Sequence, residues 1–456
     1  MPSDSTDPQV VVVGSGIAGL SAACRLQQLG YSFLVIEASH RPGGAIHTEQ
    51  RRGYLLEWGP NTVRPTAAMD TVLALRSPED PDPIGSSSIA QKRYIVCKGR
   101  LRTPLRTLSC SGFQRLLQEP AARRAPGLEE NIASLVRRRL GQECLDYLVD
   151  PFLSGIYAGD PQRLSARHVL RPLARYEKNS GSILRGALTE TLGRALRKKQ
   201  KSYNGLRSFP AGLSSMTQAL AAPLGNRLEL GRTVTSIQKK TDQRFLLDTD
   251  SGPVSTDQII LTTPAHTASH LLHPLDPSLA SHLDSVPYAP MITVQVGVHR
   301  DQIAHPLDGF GFLCPSQENR KILGALFTSS IFADRAPREH ALLTVFMGGR
   351  KHPELLSLSD NRLTDHVLSE LDSLIGMRGS PDLLRIQRLP QAIPQYELGH
   401  DRILETAQNL ESKHSGLILA GNWLNGISVG DCMERGLRAA DQILQNRPPE
   451  QVSGNA

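Results

Sequence analysis

The chain is short of aromatic residues, which make up 5% of it, and none of its apolar runs approaches the roughly 18 to 20 residues a membrane-crossing helix needs. Nothing in it is expected to span a bilayer. Its first nine residues, MPSDSTDPQ, lack the basic n-region and apolar h-region of a secretory signal and the arginine-rich character of a transit peptide. Residues 1–9 therefore read as a disordered leader on a cytoplasmic protein, and 447–456 as a disordered tail. The six cysteines, Cys24, Cys97, Cys110, Cys144, Cys314 and Cys432, contain no C-x-x-C pair. That scatter argues against a zinc site or a disulfide framework, so no metal is expected and the thiols are expected to be reduced. Cations interleaved with base-stacking aromatics are also missing, which removes nucleic acid from the expected partners.

What is present is length, and an uneven charge. At 456 residues the chain exceeds what one hydrophobic core usually serves. The net charge is +7, yet residues 91 to 210 hold 24 Lys and Arg against 9 Asp and Glu, leaving the remainder net acidic. Two uses compete for that local excess. Cations such as Arg137 to Arg139 either solvate a helix face or meet an anionic ligand or lipid surface.

Val10 to Val13 form a β-branched run suited to a buried parallel strand, followed at once by Gly14-Ser15-Gly16-Ile17-Ala18-Gly19. A helical pattern of Leu20, Ala23, Leu26 and Leu29 ends at Gly30, and a second apolar run, Phe33 to Ile36, ends at Glu37. The order strand, glycine turn, helix, strand, acid has a physical logic. Gly14 permits the tight turn, Gly16 lets backbone N–H groups approach a pyrophosphate, and Gly19 lets helix and strand pack closely. Glu37 is placed to accept hydrogen bonds from a ribose. This is a dinucleotide site.

The next residues, Glu37-Ala38-x-x-Arg41-x-Gly43-Gly44-Ala45, resemble the second fingerprint of the flavin amine oxidase superfamily. GYLLEWGPNTVRP (53–65), PFLSGIYAGDPQRLSAR (151–167), GFGFLCP (309–315), ILGALFTSSIFADRAP (322–337), LTVFMGGR (343–350), AIPQYELGH (392–400) and LILAGNWLNGISVGDCMERGLRAA (417–440) are similar, in order, to segments of the protoporphyrinogen oxidases. Such a resemblance implies an α/β fold, α+β overall, with a discontinuous Rossmann-like FAD-binding domain (10–90, 205–265 and 411–446). It also implies a mixed-sheet substrate domain (266–410) and a mainly helical, basic insertion (91–204) that faces a membrane.

The resemblance also implies non-covalent FAD, held by Gly14 to Gly19, Glu37, Ala38, Arg41, Gly43, Gly44, Ala45, Gly59, Pro60, Asn61, Thr62, Val234, Gly421, Asn422, Ile427, Ser428 and Val429. A helix starting near Ser428 would turn its N–H groups and dipole toward the flavin. For substrate it implies Leu313 and Leu326 sandwiching a pyrrole ring, Phe346 stacking on its neighbour, Asn61 facing an inner N–H, and Arg76 or Arg64 binding a propionate.

Two positions depart from the family's pattern. Leu389 stands where tryptophan is frequent, and Trp423 where tyrosine is common. No general base is assigned; His266, His270 and His299 lie on apolar stretches without partners in sequence. The implied chemistry is six-electron oxidation of protoporphyrinogen with O2 as acceptor. Expected partners are a porphyrinogen, an inner membrane face and a second copy of the chain. Coproporphyrinogen oxidation, an amine oxidase or carotenoid desaturase with Cys432 considered for covalent flavin, and a porphyrin-holding scaffold remain alternatives.

Overall fold

Val10 and Val12 point into one hydrophobic cluster, Val11 and Val13 into another, so this short strand is buried on both faces as a parallel sheet requires. The computed structural model describes residues 7–122, 129–196 and 205–445. In it Val10–Val13 is the middle strand of a five-stranded sheet, between Gln258–Leu261 and Phe33–Glu37, with Leu417–Leu419 and Leu228–Leu230 outermost. Every pairing is parallel. The helix Ile17–Gln28 covers one face with the helix Val429–Gln445. A Cβ at Gly436 would stand 2.0 Å from the carbonyl oxygen of Ala18, so that glycine sets how closely the two helices pack.

The opposite face is covered by Ala265–Leu272, Pro277–Asp284 and His400–Lys413, whose Leu271, Leu279, Leu283, Ala407 and Leu410 join Val11 and Val13 in one core. This corrects the expected boundaries of the substrate region: 266–284 and 400–410 belong to the nucleotide-side core. A small antiparallel sheet, Val234–Lys239, Phe245–Thr249 and Val254–Thr256, completes this part.

The second large sheet has seven strands, in the order Leu383–Pro394, Tyr288–His299, His340–Gly348, Ile322–Leu326, Gly311–Leu313, Tyr94–Cys97 and Arg100–Arg102. It is mixed, because Gly311–Leu313 runs parallel to Tyr94–Cys97 while the other pairs are antiparallel. Two of its strands come from residues expected in the helical insertion, which therefore begins only after Arg102. One face packs Val294, Val296 and Val298 against Leu363, Val367, Leu371 and Ile375 of the helix Asp360–Ile375. Ser359 caps that helix by accepting from the N–H of Arg362, and Gly376 ends it with φ +65°.

The insertion has its own core, in which Ile132, Leu135, Val136, Leu145, Leu153, Tyr157 and Leu170 meet Tyr396. Its arginine run corrects the expectation that all three cations face outward. Arg139 is wholly buried and donates to Glu177 at 2.9 Å, while Arg138 donates to Glu130 at 2.7 Å and Glu177 at 2.8 Å. Two of the three cations thus hold helices together, Arg139 wholly shielded from solvent and Arg138 partly so, while Arg137 stays exposed.

At the start of the chain, Asp7 pairs with Arg244 at 3.1 Å and the carbonyl of Gln9 accepts from the N–H of Gln258 at 3.1 Å. The expected leader is therefore anchored at its end. Residues 1–6, and the tail after Gln445, lie outside the described residues. No helix among the described residues is long and apolar enough to cross a membrane.

Candidate active site

The C-terminal ends of the parallel strands bring the glycine motifs together. Gly14 takes φ +99°, and a Cβ on Gly19 would lie 1.9 Å from the Gly14 carbonyl oxygen, whereas a Cβ on Gly16 would meet nothing within 4 Å. Gly19 is thus needed for packing and Gly16 leaves open space, the division of labour read from the motif. The N–H of Gly43 donates to the Ser15 carbonyl at 2.9 Å, so the second fingerprint lies directly against the first. Arg41 holds that turn by donating to the carbonyls of Gly44 at 2.8 Å and Ile46 at 3.0 Å.

Glu37 is oriented by four donors: the N–H and hydroxyl of Ser15 at 2.7 and 2.9 Å, and those of Ser39 at 2.9 and 2.7 Å. Arg232 and Gly231 bond by their N–H groups to the carbonyls of Glu37 and Ser39 at 3.0 Å each. That brings Val234, buried with Val11 and Ile36, to the same strand end. Ala38 is exposed beside it. Gly59 touches the second fingerprint too, since a Cβ there would sit 1.9 Å from the Ala45 carbonyl oxygen. Pro60, Asn61 and Thr62 follow, half-buried.

A flavin dinucleotide fits this cradle. The side-chain oxygens of Asn61, Thr263 and Asn422 are buried with no hydrogen-bond partner among the described residues, and such orphaned acceptors call for a ligand or ordered water. The segments of Thr263 and Asn422 are brought together: the Trp423 indole, next to Asn422, donates to the Thr263 carbonyl at 3.2 Å, and the Thr262 hydroxyl donates to the Val13 carbonyl at 2.8 Å. Thr263 was not among the cofactor contacts expected from the sequence; the pairing of Leu261 beside Val13 and Leu419 carries it to this strand end.

The helix Ile17–Gln28 starts at Gly16 with no side-chain cap, leaving its first N–H groups for an anion. The helix Val429–Gln445 starts within the expected stretch, and its first turn is capped. The Ser428 hydroxyl accepts from the Asp431 N–H at 3.1 Å, and the Asp431 carboxylate accepts from the Ser428 N–H at 3.2 Å. This reciprocal cap leaves Val429 and Gly430 as the available donors and sets an acid at that terminus. Ile427 packs on the insertion core. Burial pushes the Cys432 thiol up to about 11, so it is a protonated packing group and a poor nucleophile.

The residues expected to bind substrate share one face of the mixed sheet. Leu313 pairs with Gly324, Gly324 with Phe346, and Leu326 with Thr344; with a side-chain period of two, Leu313, Leu326 and Phe346 point the same way. Phe312, Ala325 and Val345 point oppositely and are buried, while these three are only half-buried. Leu313 reaches the helix Asp150–Tyr157, where a Cβ on Gly155 would meet it at 2.8 Å. Phe346 packs with Met291, Ala158 and Leu389, and Leu326 with Ala90 and Phe332. Leu389, which stands where the family often carries tryptophan, therefore occupies part of the same wall.

This face is tied to the nucleotide side through the strand Tyr54–Glu57. Gln295, wholly buried, donates to the Glu57 carbonyl at 2.7 Å and accepts from the Thr344 hydroxyl at 2.9 Å. The Glu57 carboxyl is pushed up to about 7 by burial, against the opposing pull of the Leu213 N–H, the Thr48 hydroxyl and Arg335.

Arg76 corrects the expected propionate site. It donates to the carbonyls of Leu73 at 3.1 Å and Pro81 at 2.6 Å, pairs with Asp82 at 3.4 Å and lies over the Phe209 ring. Its guanidinium staples its own connection, the polar 77–90 stretch, instead of facing a ligand. Arg64 is exposed. His266 stacks edge-on with Tyr288, and His299 with His340; neither of these, nor His270, is brought to the glycine turn or the apolar face by any bond.

The doubly covered parallel sheet, the paired glycine turns and the adjoining apolar face define a flavin oxidoreductase with FAD as its cofactor. Residues 17–444 match the flavin containing amine oxidoreductase family, and the chain belongs to it. It is 32% identical to the chloroplastic protoporphyrinogen oxidase of Nicotiana tabacum, over 95% of this chain and 85% of that protein. It is 27% identical to the coproporphyrinogen III oxidase of Bacillus subtilis, over 95% and 97%. A solved structure from Exiguobacterium sp. 255-15, provisionally called a protoporphyrinogen oxidase, superposes with a TM-score of 0.81 at 24% identity, covering 96% of this chain and 99% of that one.

Proposed function

We propose that the protein oxidises protoporphyrinogen IX to protoporphyrin IX, with O2 as electron acceptor. The observation that carries this reading is the half-open apolar wall of Leu313, Leu326 and Phe346, on a face joined to the flavin-side strand by Gln295. It is supported by relatives at 32% identity that bear that name. A flat apolar wall suits a large tetrapyrrole ring, whereas a small charged amine would leave it uncovered.

The substrate must lose six electrons and six protons, and three O2 become three H2O2. FAD, when bound, accepts two electrons per round. The chain's own residues bind and orient: Leu313 and Leu326 grip a ring, Phe346 stacks beside it, and the glycine turns hold the cofactor against that wall. Since the leaving hydrogens come from an electron-rich carbon and from pyrrole N–H, no side chain is needed as a strong base.

Oxidation of coproporphyrinogen III is the second reading, favoured by the Bacillus subtilis relative. Its four propionates would need more cations around the wall. Contact with an anionic membrane surface belongs to the proposal as well. Leu105, Phe113 and Leu117 are exposed on the insertion near exposed Arg102 and Arg106, and each such cation contributes about 1 kcal/mol at anionic headgroups.

The test is aerobic turnover with each porphyrinogen. Protoporphyrin formation with about three H2O2 per ring is expected, at higher kcat/KM than for coproporphyrinogen III. Faster turnover of the tetracarboxylate would move the protein to the second reading, and turnover of neither would remove both.

A further inference from the structure

The mixed sheet ends at the edge strand Leu383–Pro394, and two side chains of that strand stand on the same face as Phe346. Gln387 pairs with Thr293, which pairs with Phe346; Arg385 pairs with Gln295, which pairs with Thr344 beside Leu326. At the usual strand spacing, Gln387 lies about 10 Å from Phe346 along its row. The Gln387 side-chain oxygen is buried and accepts no hydrogen bond from the described residues. Such an orphaned carbonyl is costly unless a donor comes to it. Arg385 is exposed and makes no ion pair among the described residues.

We infer that this edge strand supplies the polar half of the substrate site: Gln387 accepts a pyrrole N–H, and Arg385 pairs with a propionate at the rim. The inference rests on the porphyrinogen reading above and deepens it. A porphyrinogen carries four N–H donors and acidic side arms, and Leu313, Leu326 and Phe346 can satisfy neither. Gln387 and Arg385 offer one acceptor and one cation, two residues apart on one edge, and they replace the role that Arg76 cannot fill. Gln387 also distinguishes substrate from product. Oxidation strips two of the four nitrogens of hydrogen and flattens the ring, so that the two N–H groups left point into its centre and no longer reach the oxygen.

The experiment compares protoporphyrinogen IX with its dimethyl ester in the FAD-loaded enzyme. In the wild type the free acid is expected to have about tenfold higher kcat/KM, the size of a charge-assisted contact, expressed in KM. Arg385→Ala should abolish that preference by raising KM for the acid alone, and Arg385→Lys should restore part of it. Gln387→Leu should raise KM for acid and ester alike, several-fold, while leaving inhibition by protoporphyrin unchanged. Retention of the acid preference in Arg385→Ala, or an unchanged KM in Gln387→Leu, would overturn the assignment while wild-type turnover leaves the porphyrinogen reading intact. A wild type that oxidises neither acid nor ester would remove the reading itself, and the inference with it.

Discussion

The glycine cradle and the apolar wall are built by opposite means. In the cradle, Gly14, Gly16, Gly19, Gly43 and Gly59 act through what they lack: a Cβ at Gly19 or Gly59 would overlap backbone at 1.9 Å. In the wall, Leu313, Leu326 and Phe346 act through bulk, and they meet only because strands distant in sequence pair in one register. The first site is specified by local backbone geometry and the second by tertiary pairing. Cofactor binding and substrate binding should therefore fail separately.

The largest expected effect breaks the cradle. Gly19→Ala drives a methyl group into the Gly14 carbonyl, and the purified variant should lose more than about 90% of its FAD, measured by flavin absorbance per protein. A variant that keeps full flavin would show that helix and strand can part there freely. The wall gives the converse. Phe346→Ala should retain wild-type flavin content while kcat/KM for protoporphyrinogen falls about 10- to 100-fold. Loss of flavin in that variant would erase the distinction between the regions.

A third expected effect, on stability and not on binding, sharpens the boundary between them, at Glu57. Its carboxyl is raised from an ordinary 4.5 to about 7 by burial, so the folded protein binds a proton that the unfolded chain releases. Stability from this group is complete below about pH 4.5 and is lost as pH rises through about 7, by up to roughly 3 kcal/mol. Glu57→Gln should flatten the stability profile between pH 5 and 8 in chemical denaturation. A variant whose profile parallels the wild type would mean that Glu57 does not titrate there.

The same contrast explains how much of the molecule is legible in its sequence. The strand Val10–Val13, the helix Ile17–Gln28, Gly30 and Glu37 follow from a local pattern of apolar spacing and glycine, and they form as expected. Leu313, Leu326 and Phe346 were legible only through resemblance, because nothing local distinguishes a wall residue from a core residue. Gln295 and Gln387 were missed for the same reason: a polar residue in a strand acquires meaning from its cross-strand neighbour. Arg76 misled because the helix before it resembled the family, while the polar stretch after it created carbonyl partners at Pro81 and Leu73. Arg138 and Arg139 looked like surface charge because Glu119 and Glu177, which bury them, lie about 20 and 40 residues away in the chain.

The central proposal is that the wall presents a porphyrinogen to the flavin. Rapid anaerobic mixing of the FAD-loaded protein with protoporphyrinogen IX tests that most directly, by following the oxidised-flavin band at about 450 nm. Fast, saturable bleaching is expected, with the colour and porphyrin fluorescence appearing when air is admitted. A flavin that stays oxidised in the presence of protoporphyrinogen, yet is bleached by a simple amine, would contradict it.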